Sequence, residues 1–593
     1  MKKLTILFNT TFLTILLILF GQRSFSATYT AVASGNWSNS ATWGGSGPSD
    51  TITNADVIII PSSTDVVLDT NLVVNNALAS LTVTGSLTGN ANLNIAEGTL
   101  LGGGNVYLNS LTVGIGGFVT SAGSIYVNQL FDSQPLLTLT STIYVADSLV
   151  LYAGLIQLNA SSTLNLSNNA TITLAGGRIF INGGSLSPNG VYNLLYTDSA
   201  ATIGLEATYG SLHNITIDLE SAARQIALTG SLAISGTLYV QNGILALDSN
   251  SLTINGSIVI EDSGSLSGST GANIILDGSG NADNLHFTAT GDTIHNLILN
   301  ISDSGSVSLS SQLFVTGNLA LNNGKLILDG SVLTVTDSSV VQGGSDSSYV
   351  VTNDSSFLVI TVRNAGDSAK FHVGTQTHYA PLLVTNNSDS AGAFWVNAHS
   401  GVYLYGTSGS DISSTQTVVN TSWNIETALD SATAGINVNI RVFWDSTMQV
   451  NGFSDSTAFL AHYTGGAWQR NSPATATAYG NGTFSIALDS VTSFSPFAVF
   501  DSSTLTATGI AAVKSDVTIL NVYPNPANNY VELGNIQDGG KYNLWLYDVT
   551  GQLIEQRESV DNMMNVSSLP AGYYTIAIDQ NGNKFRSGLV IAK

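Results

Sequence analysis

Between about Leu81 and Val335 the chain repeats short apolar-x-apolar triplets, separated by three or four small or polar residues. One run of four triplets reads Leu232-Ala-Ile234, Leu238-Tyr-Val240, Leu245-Ala-Leu247 and Leu252-Thr-Ile254. A strand of this pattern turns two side chains to one face and one to the other. The intervening Gly, Asn, Asp and Ser residues favour tight turns, because Gly and Asn tolerate positive φ. The pattern therefore predicts many short β-strands of similar length.

A second run of triplets aligns with the first without a gap, at an offset of 81 residues from Leu232 to Leu313. Such self-similarity is typical of repeat architectures. Three strands of this length make a coil of roughly 20 residues, so the offset corresponds to roughly four coils. We therefore predict a parallel β-helix over residues 81–340, with 232–254 and 313–335 as equivalent coils. The alternative is a series of antiparallel β-sandwiches, which would favour longer strands.

The region before the array, residues 27–80, contains Trp37 and Trp43. It resembles the tryptophan-bearing start of many bacterial surface β-helices. A solenoid needs a terminal cap, because its first coil otherwise exposes core and strand edges. We predict a hydrophobic cap here. A pair of tryptophans that stack on carbohydrate is the alternative.

Residues 341–505 lack the regular triplet spacing and contain many large aromatic side chains. The run 437–444 alternates with period two, as half-buried antiparallel strands do. One β-sandwich or two small ones are predicted here. The motifs Phe371–Thr375 and Ser493–Phe497 resemble a module common in Bacteroidota surface proteins, although His372 stands where that module usually has Pro. The resemblance implies a scaffold domain.

The N-terminus has the pattern of a signal peptide over residues 1–26. Basic residues start the chain, an apolar stretch runs from Leu4 to Phe20, and small residues precede a predicted cleavage between Ser26 and Ala27. A membrane anchor is the alternative, which the polar residues within the apolar stretch disfavour. No later segment is long enough to span a bilayer. We expect a secreted protein with no transmembrane segment in the mature chain.

Composition narrows the function classes. The 593 residues carry 39 acidic and 16 basic side chains, a net charge of −23, and only 9% of residues are charged, against about 25% in an average domain. The acidic balance argues against nucleic-acid partners, which need basic patches. The absence of cysteine excludes thiolate zinc sites and thiol catalysis. Abundant Val, Ile, Thr and Gly favour an all-β fold.

The last segment, 519–593, follows a linker at 506–518 and predicts a small immunoglobulin-like β-sandwich. It carries four separated motifs, whose principal residues are Pro524, Asn525, Pro526, Gly551, Gly572, Tyr573, Tyr574, Leu589, Val590 and Lys593. Their order and position resemble the type A C-terminal sorting domain of the type IX secretion system. The resemblance implies recognition of these residues by the type IX machinery, and export to the outer-membrane cell surface or the medium.

The sequence offers few candidates for catalytic or metal-binding residues. Parallel β-helices also carry pectate lyases and polygalacturonases, which need clustered carboxylates with basic partners. Between residues 81 and 340 the basic side chains are Arg178, Arg224 and Lys325, without a paired-Asp motif beside them. His372 and His378 fit packing better than a shared metal. The segment Asp277–Asn284 is loosely similar to a calcium loop, but turn chemistry explains it equally well.

We therefore predict a non-enzymatic, adhesin-like structural protein of the cell surface, with no cofactor except weakly supported calcium. The alternative is a secreted polysaccharide-active enzyme on a β-helix scaffold. Besides the secretion machinery, the expected partner is an extracellular glycan or another surface ligand, which the sequence does not identify.

Overall fold

The computed structural model describes residues 26–120, 123–197, 202–208, 210–336, 340–388, 391–427, 435–502, 517–537, 539–549 and 552–593. Nearly all regular structure in this part of the chain is β-strand. The helical segments there are single 3-10 turns at Ser40–Trp43, Leu205–Ala207, Ser446–Met448 and Asp455–Thr457. The chain divides into two compact units, 1–220 and 221–593.

The first unit consists of parallel strands stacked coil upon coil. Thr28–Thr30 pairs parallel with Val57–Ile60, which pairs parallel with Leu72–Val83. Parallel pairing therefore begins inside the region expected to be a cap. The strands of this unit are Thr28–Thr30, Gly35–Asn36, Thr51–Ile52, Val57–Ile60, Asp65–Val67, Leu72–Val83, Ser86–Thr88, Asn92–Leu101, Asn105–Val119, Ile125–Asp132, Leu137–Leu139, Thr142–Leu151, Leu155–Asn159, Thr163–Leu166, Ala170–Leu174, Arg178–Asn182, Ser185–Pro188, Val191–Thr197, Thr202–Ile203 and Ser211–Asp218.

The two N-terminal tryptophans are packed inside this unit. Trp37 is 1% exposed and Trp43 is 7% exposed, and their rings meet edge to face with centroids 5.1 Å apart. The Trp43 indole N–H donates to the Trp37 carbonyl at 2.9 Å. Because a sugar would need a free ring face, this burial favours the hydrophobic role over carbohydrate stacking.

Asp132 is the most deeply buried carboxylate among the described residues of the first unit. Asp132 is fully buried, and its Oδ1 accepts from the Gln134 backbone N–H at 3.0 Å. Its Oδ2 has no hydrogen-bond partner among the described residues. Burial raises the pKa of the Asp132 carboxyl from 3.8 to about 6, against the lowering effect of the neighbouring backbone N–H groups. The charged form is therefore destabilising at neutral pH.

We expect Asp132→Asn to stabilise the protein at neutral pH. The folded state binds the proton more tightly than the unfolded state, so wild-type stability falls as pH rises from about 4 to about 6. The variant lacks this loss, so the two proteins should differ by on the order of 1 to 2 kcal/mol at pH 7 and little at pH 4. Thermal melts at both pH values measure the difference. The exposed Asp147→Asn is the control, and an equal gain in that variant would contradict the assignment to burial.

The solenoid strands of the second unit are also parallel. Leu232 pairs with Leu252, and Leu313 pairs with Leu333. The segments 232–254 and 313–335 therefore each span one full coil. The predicted parallel solenoid is confirmed, with about 15 turns in all. These strands are Gln225–Leu228, Leu232–Ile234, Leu238–Ala246, Ser251–Ile254, Ile258–Ser267, Asn273–Leu276, Asn284–Leu285, Thr293–Ile294, Asn296–Asn300, Ser306–Leu309, Leu313–Val315, Asn318–Asn323, Lys325–Leu328, Val332–Val335, Val340–Gly343 and Val350–Val351.

The duplicated segments, however, lie on neighbouring faces of the solenoid. The column that starts at Leu232 runs through Leu252, Ile274, Leu297 and Leu319. Four coils therefore cover 87 residues, from Leu232 to Leu319, and the copy that starts at Leu313 falls one strand earlier. Every face requires the same inward apolar pattern, so the triplet repeat does not encode which face a strand joins.

Phe357–Val362 connects the solenoid to the sandwich region. It pairs parallel with Val332–Val335 and antiparallel with Gly392–Ser400. Beyond it Val373–Gly374 still pairs parallel with Val350–Val351 of the solenoid. The other strands form two sets of antiparallel pairings, and the Trp423 indole of one sheet donates to the Ala380 carbonyl beside the other at 2.8 Å. The strands of this region are Phe357–Val362, Ser368–Phe371, Val373–Gly374, Leu382–Asn386, Gly392–Ser400, Val418–Thr427, Val438–Asp445, Ala458–Thr464, Ala467–Gln469, Thr477–Ala478, Thr483–Val491 and Pro496–Asp501.

Candidate functional site

The C-terminal segment folds as a small β-sandwich. A five-stranded sheet contains Val517–Ile519, Asn583–Ile591, Gly572–Gln580, Tyr542–Asp548 and Leu553–Ser559, and a three-stranded sheet contains Asn521–Tyr523, Tyr530–Gly534 and Met563–Asn565. Their inner faces share one apolar core, which includes Leu533, Leu544 and Ile576. The sandwich predicted for this segment is confirmed.

The last strand, Asn583–Ile591, is an inner strand of the larger sheet. It pairs parallel with Val517–Ile519 and antiparallel with Gly572–Gln580. Leu589 and Ile591 point into the sandwich core. Val590, on the opposite face because side chains alternate along a strand, packs with Phe357 and Val359. The final residues thus belong both to the core of the segment and to its contact with the preceding region.

Asn525 holds this strand through its side-chain amide. Its Nδ2 donates to the Gly588 carbonyl at 2.9 Å, and the Val590 backbone N–H donates to its Oδ1 at 2.7 Å. The flanking Pro524 and Pro526 have no backbone N–H and cannot donate to a strand. The amide of Asn525 therefore supplies the donor and the acceptor that a neighbouring strand would otherwise provide.

The Gly572-Tyr573-Tyr574 motif faces the same strand. Gly572 pairs with Ile591, and the Tyr574 hydroxyl donates to the Pro570 carbonyl at 3.0 Å. The Tyr573 ring lies across Gly588, where an added Cβ would come within 2.2 Å of the Tyr573 hydroxyl. Burial raises the pKa of the Tyr573 hydroxyl well above its usual range, and the nearby Glu426 adds to this shift.

Most predicted sorting residues thus meet around one strand. Lys593 follows the end of this strand, and its Nζ donates to the Ser567 carbonyl at 2.6 Å. Gly551 lies outside the described residues. The predicted cleavage residues Ser26 and Ala27 belong to the first unit, where the Ala27 N–H donates to Asp56 Oδ1 at 2.8 Å. Gly588 was not among the predicted site residues, although a glycine within a strand is a signal for close approach of another group.

A cavity of about 500 Å³ lies between the sandwich region and the C-terminal domain. Asn397 lines it fully buried, and neither atom of its amide has a hydrogen-bond partner among the described residues. His399 Nδ1 lies 3.6 Å from Asp354 Oδ1, and its Nε2 has no such partner there either. Tyr573 and Arg586 supply part of the opposite wall. The polar groups could hydrogen-bond a small molecule, and the enclosure depends on the C-terminal domain.

The two histidines considered for a metal have different partners. His372 Nδ1 lies 2.5 Å from the Tyr379 hydroxyl, and burial lowers the pKa of His372 to about 4. His378 is half-buried, and its Nδ1 lies 2.8 Å from the Thr377 hydroxyl. His372 is therefore neutral near pH 7 and serves to fix the Tyr379 ring.

The later aromatic motif contains a serine–histidine contact. Ser495 Oγ lies 2.6 Å from His462 Nε2 and also donates to the Tyr463 carbonyl. The His462 ring stacks on Phe497 with centroids 4.4 Å apart, and burial lowers its pKa to about 4. Since the one hydroxyl proton is used by a backbone carbonyl, the contact ties the segment before Pro496–Asp501 to the strand Ala458–Thr464 rather than activating a nucleophile.

The segment considered for calcium uses its side chains between coils. Asn300 Nδ2 donates to Asp277 Oδ1 at 2.6 Å, and the Ser306 hydroxyl donates to Asn281 Oδ1 at 3.1 Å. Within the described residues, no group of three or more His, Asp or Glu side chains could hold a metal ion. Turn and coil contacts thus account for this polar run.

Lys325, one of the three basic residues of the solenoid repeats, makes structural contacts. Its Nζ donates to the Gln376 carbonyl at 2.9 Å and lies 4.9 Å from the centre of the Tyr349 ring. Burial lowers the pKa of Lys325. This ammonium group therefore connects the solenoid to the following loop.

Comparison with known proteins identifies the C-terminal segment. Residues 521–592 match the family described as the secretion system C-terminal sorting domain. No curated protein and no solved structure matches the chain. The chain thus combines a β-solenoid with a type IX sorting domain, which implies interaction with the type IX machinery and export. Among the described residues, none of the helices has the length and apolar character needed to cross a membrane.

Proposed function

We propose that this protein is a non-enzymatic, adhesin-like structural protein of the cell surface, exported by its sorting domain. The observation that carries the proposal is the joining of a solenoid of about 15 turns to that domain. A stack of coils gives an extended surface on which successive turns repeat the same positions. A protein of this form can present binding surfaces outside the cell.

The chemistry of the described residues supports a binding role over catalysis. The serine–histidine contact of Ser495 and His462 and the pair His372 and Tyr379 both serve packing, as argued above. Lys325, a candidate partner for a uronate carboxylate, contacts a backbone carbonyl and an aromatic ring. A polysaccharide lyase would instead need basic groups directed at its substrate.

Two measurements test this proposal. An antibody against the solenoid should label intact cells of the source bacterium and lose its signal after external protease treatment. The purified chain 27–593 should bind a glycan array but release no product from pectin, alginate or glycosaminoglycans. Turnover of any of these polymers would overturn the non-enzymatic assignment. Labelling that requires permeabilised cells would overturn the surface location.

A further inference from the structure

Three tyrosines occupy one column on the outer surface of the first unit. Tyr107 pairs with Tyr126 and Tyr126 with Tyr144 in successive parallel strands. The first two rings stack with centroids 4.4 Å apart at 6°, and the next two at 4.3 Å and 3°. This spacing is close to the distance of about 4.8 Å between neighbouring strands. Tyr107 is 41% exposed and Tyr144 is 38% exposed.

These rings line a surface groove of about 600 Å³. The groove extends over six successive coils, from that of Val67 to that of Ser167. Five steps between coils give a length of about 24 Å. Its lining residues are Val67, Gly89, Asn90, Tyr107, Leu108, Tyr126, Val127, Asn128, Tyr144, Ala146 and Ser167. This length suits a linear polymer rather than a single small molecule.

The amide groups beside the tyrosines are held in place by a ladder. Asn128 Nδ2 donates to Asn109 Oδ1 at 3.2 Å, and Asn109 Nδ2 donates to Asn92 Oδ1 at 2.8 Å. Ser110 also donates to Asn92 Oδ1 at 2.8 Å. Since each side chain is oriented by its neighbour, Asn128 presents a fixed polar group to the groove. Such preorganisation lowers the entropy cost of binding.

The lining defines the chemistry of the occupant. None of the eleven lining residues carries a charge, while the whole chain has a net charge of −23. A polyanion would be repelled by the protein without meeting a basic partner, and a polycation would find no carboxylate in the groove. Phenol and amide groups can donate to and accept from sugar hydroxyls. Because the rings stack face to face, they present edges and phenol groups to the groove, and these groups repeat at each coil.

We propose that the groove lined by Tyr107, Tyr126 and Tyr144 binds a neutral polysaccharide along the solenoid. The proposal rests on the surface binding role proposed above and names its ligand class. One coil step is comparable to the length of one sugar unit. The repeated tyrosines therefore meet successive units of one chain.

Affinity gel electrophoresis of the mature chain 27–593 tests the groove. The probes are barley β-glucan, xyloglucan, galactomannan and dextran, with polygalacturonate as the anionic comparison. We expect at least one neutral polymer to retard the protein. The double variant Tyr107→Ser/Tyr144→Ser should bind that polymer roughly tenfold more weakly. Asn128→Leu, which keeps all three rings, should also weaken binding.

Tyr152→Ser is the matched control, because Tyr152 is 53% exposed on the same unit but does not line the groove. It should bind as the wild type does, and thermal melts check that each variant is folded. Unchanged binding in both groove variants, equal loss in the control, or no retardation by any neutral polymer would overturn the proposal. If intact cells are still labelled by the antibody, the groove assignment alone has failed. If labelling also fails, the surface role has failed.

Discussion

Removing Leu589–Lys593 should trap the protein in the periplasm. The deletion takes Leu589 and Ile591 out of the domain core, and full burial of such side chains contributes about 1.5 to 3 kcal/mol each. It also removes the Val590 N–H that donates to Asn525 Oδ1. The sorting domain then lacks an inner strand, while the coils of the first unit keep all their pairings. Cell fractionation and immunoblotting should find nearly all of the truncated protein in the periplasm.

A single substitution isolates the contribution of the amide. Asn525→Ala removes both hydrogen bonds to the last strand without shortening the chain, and we expect clearly reduced export. Asn543→Ala, at an exposed position of the same domain, is the control and should be exported normally. Normal surface levels of the truncated protein would show that this domain is not the address for secretion.

Leu245→Asp should unfold the solenoid around it. Leu245 is fully buried and stacks between Ile226 and Leu266 in the neighbouring coils. A carboxylate there would lose its hydration without gaining a partner, which costs several kcal/mol even after its pKa shifts. We expect a large fall in melting temperature and rapid proteolysis near residue 245.

The matched control introduces the same charge on the outer surface. Ala233 lies between two inward residues of its strand and is exposed, so Ala233→Asp should melt close to the wild type. Circular dichroism melts and limited proteolysis compare the two variants. If both melted alike, Leu245 would not be in the dry interior of the solenoid.

The duplicated segments show that the sequence pattern does not determine which face of the solenoid a strand joins. The triplets predicted the inward residues correctly, because alternation is local to a strand, whereas the central Ala246 and Ala320 are also buried. Which face a strand joins depends on the accumulated length of all preceding turns. Small differences in turn length therefore moved the copy that starts at Leu313 one face away from that at Leu232.

The candidate sites likewise contain residues that the sequence predicts and residues that only the fold brings together. The sorting motifs are contiguous in sequence, so Asn525, Gly572 and Tyr573 could be predicted from the chain. Gly588, which Asn525 and Tyr573 both contact, could not, because strand pairing alone brings it beneath Tyr573. The tyrosines of the groove are 19 and 18 residues apart, at 107, 126 and 144. They form a column only because their coils have those lengths.

The sequence by itself determined the all-β class, the parallel solenoid and the sorting domain, because each depends on local alternation, turn residues or a contiguous motif. Only the tertiary structure decided that Trp37 and Trp43 are buried and that Asn525 hydrogen-bonds to the last strand. It also decided that Tyr107, Tyr126 and Tyr144 align in one column. These features join residues whose separation in the chain is set by turn lengths and strand register. Such distances are fixed when the coils close and stack, and no local pattern encodes them.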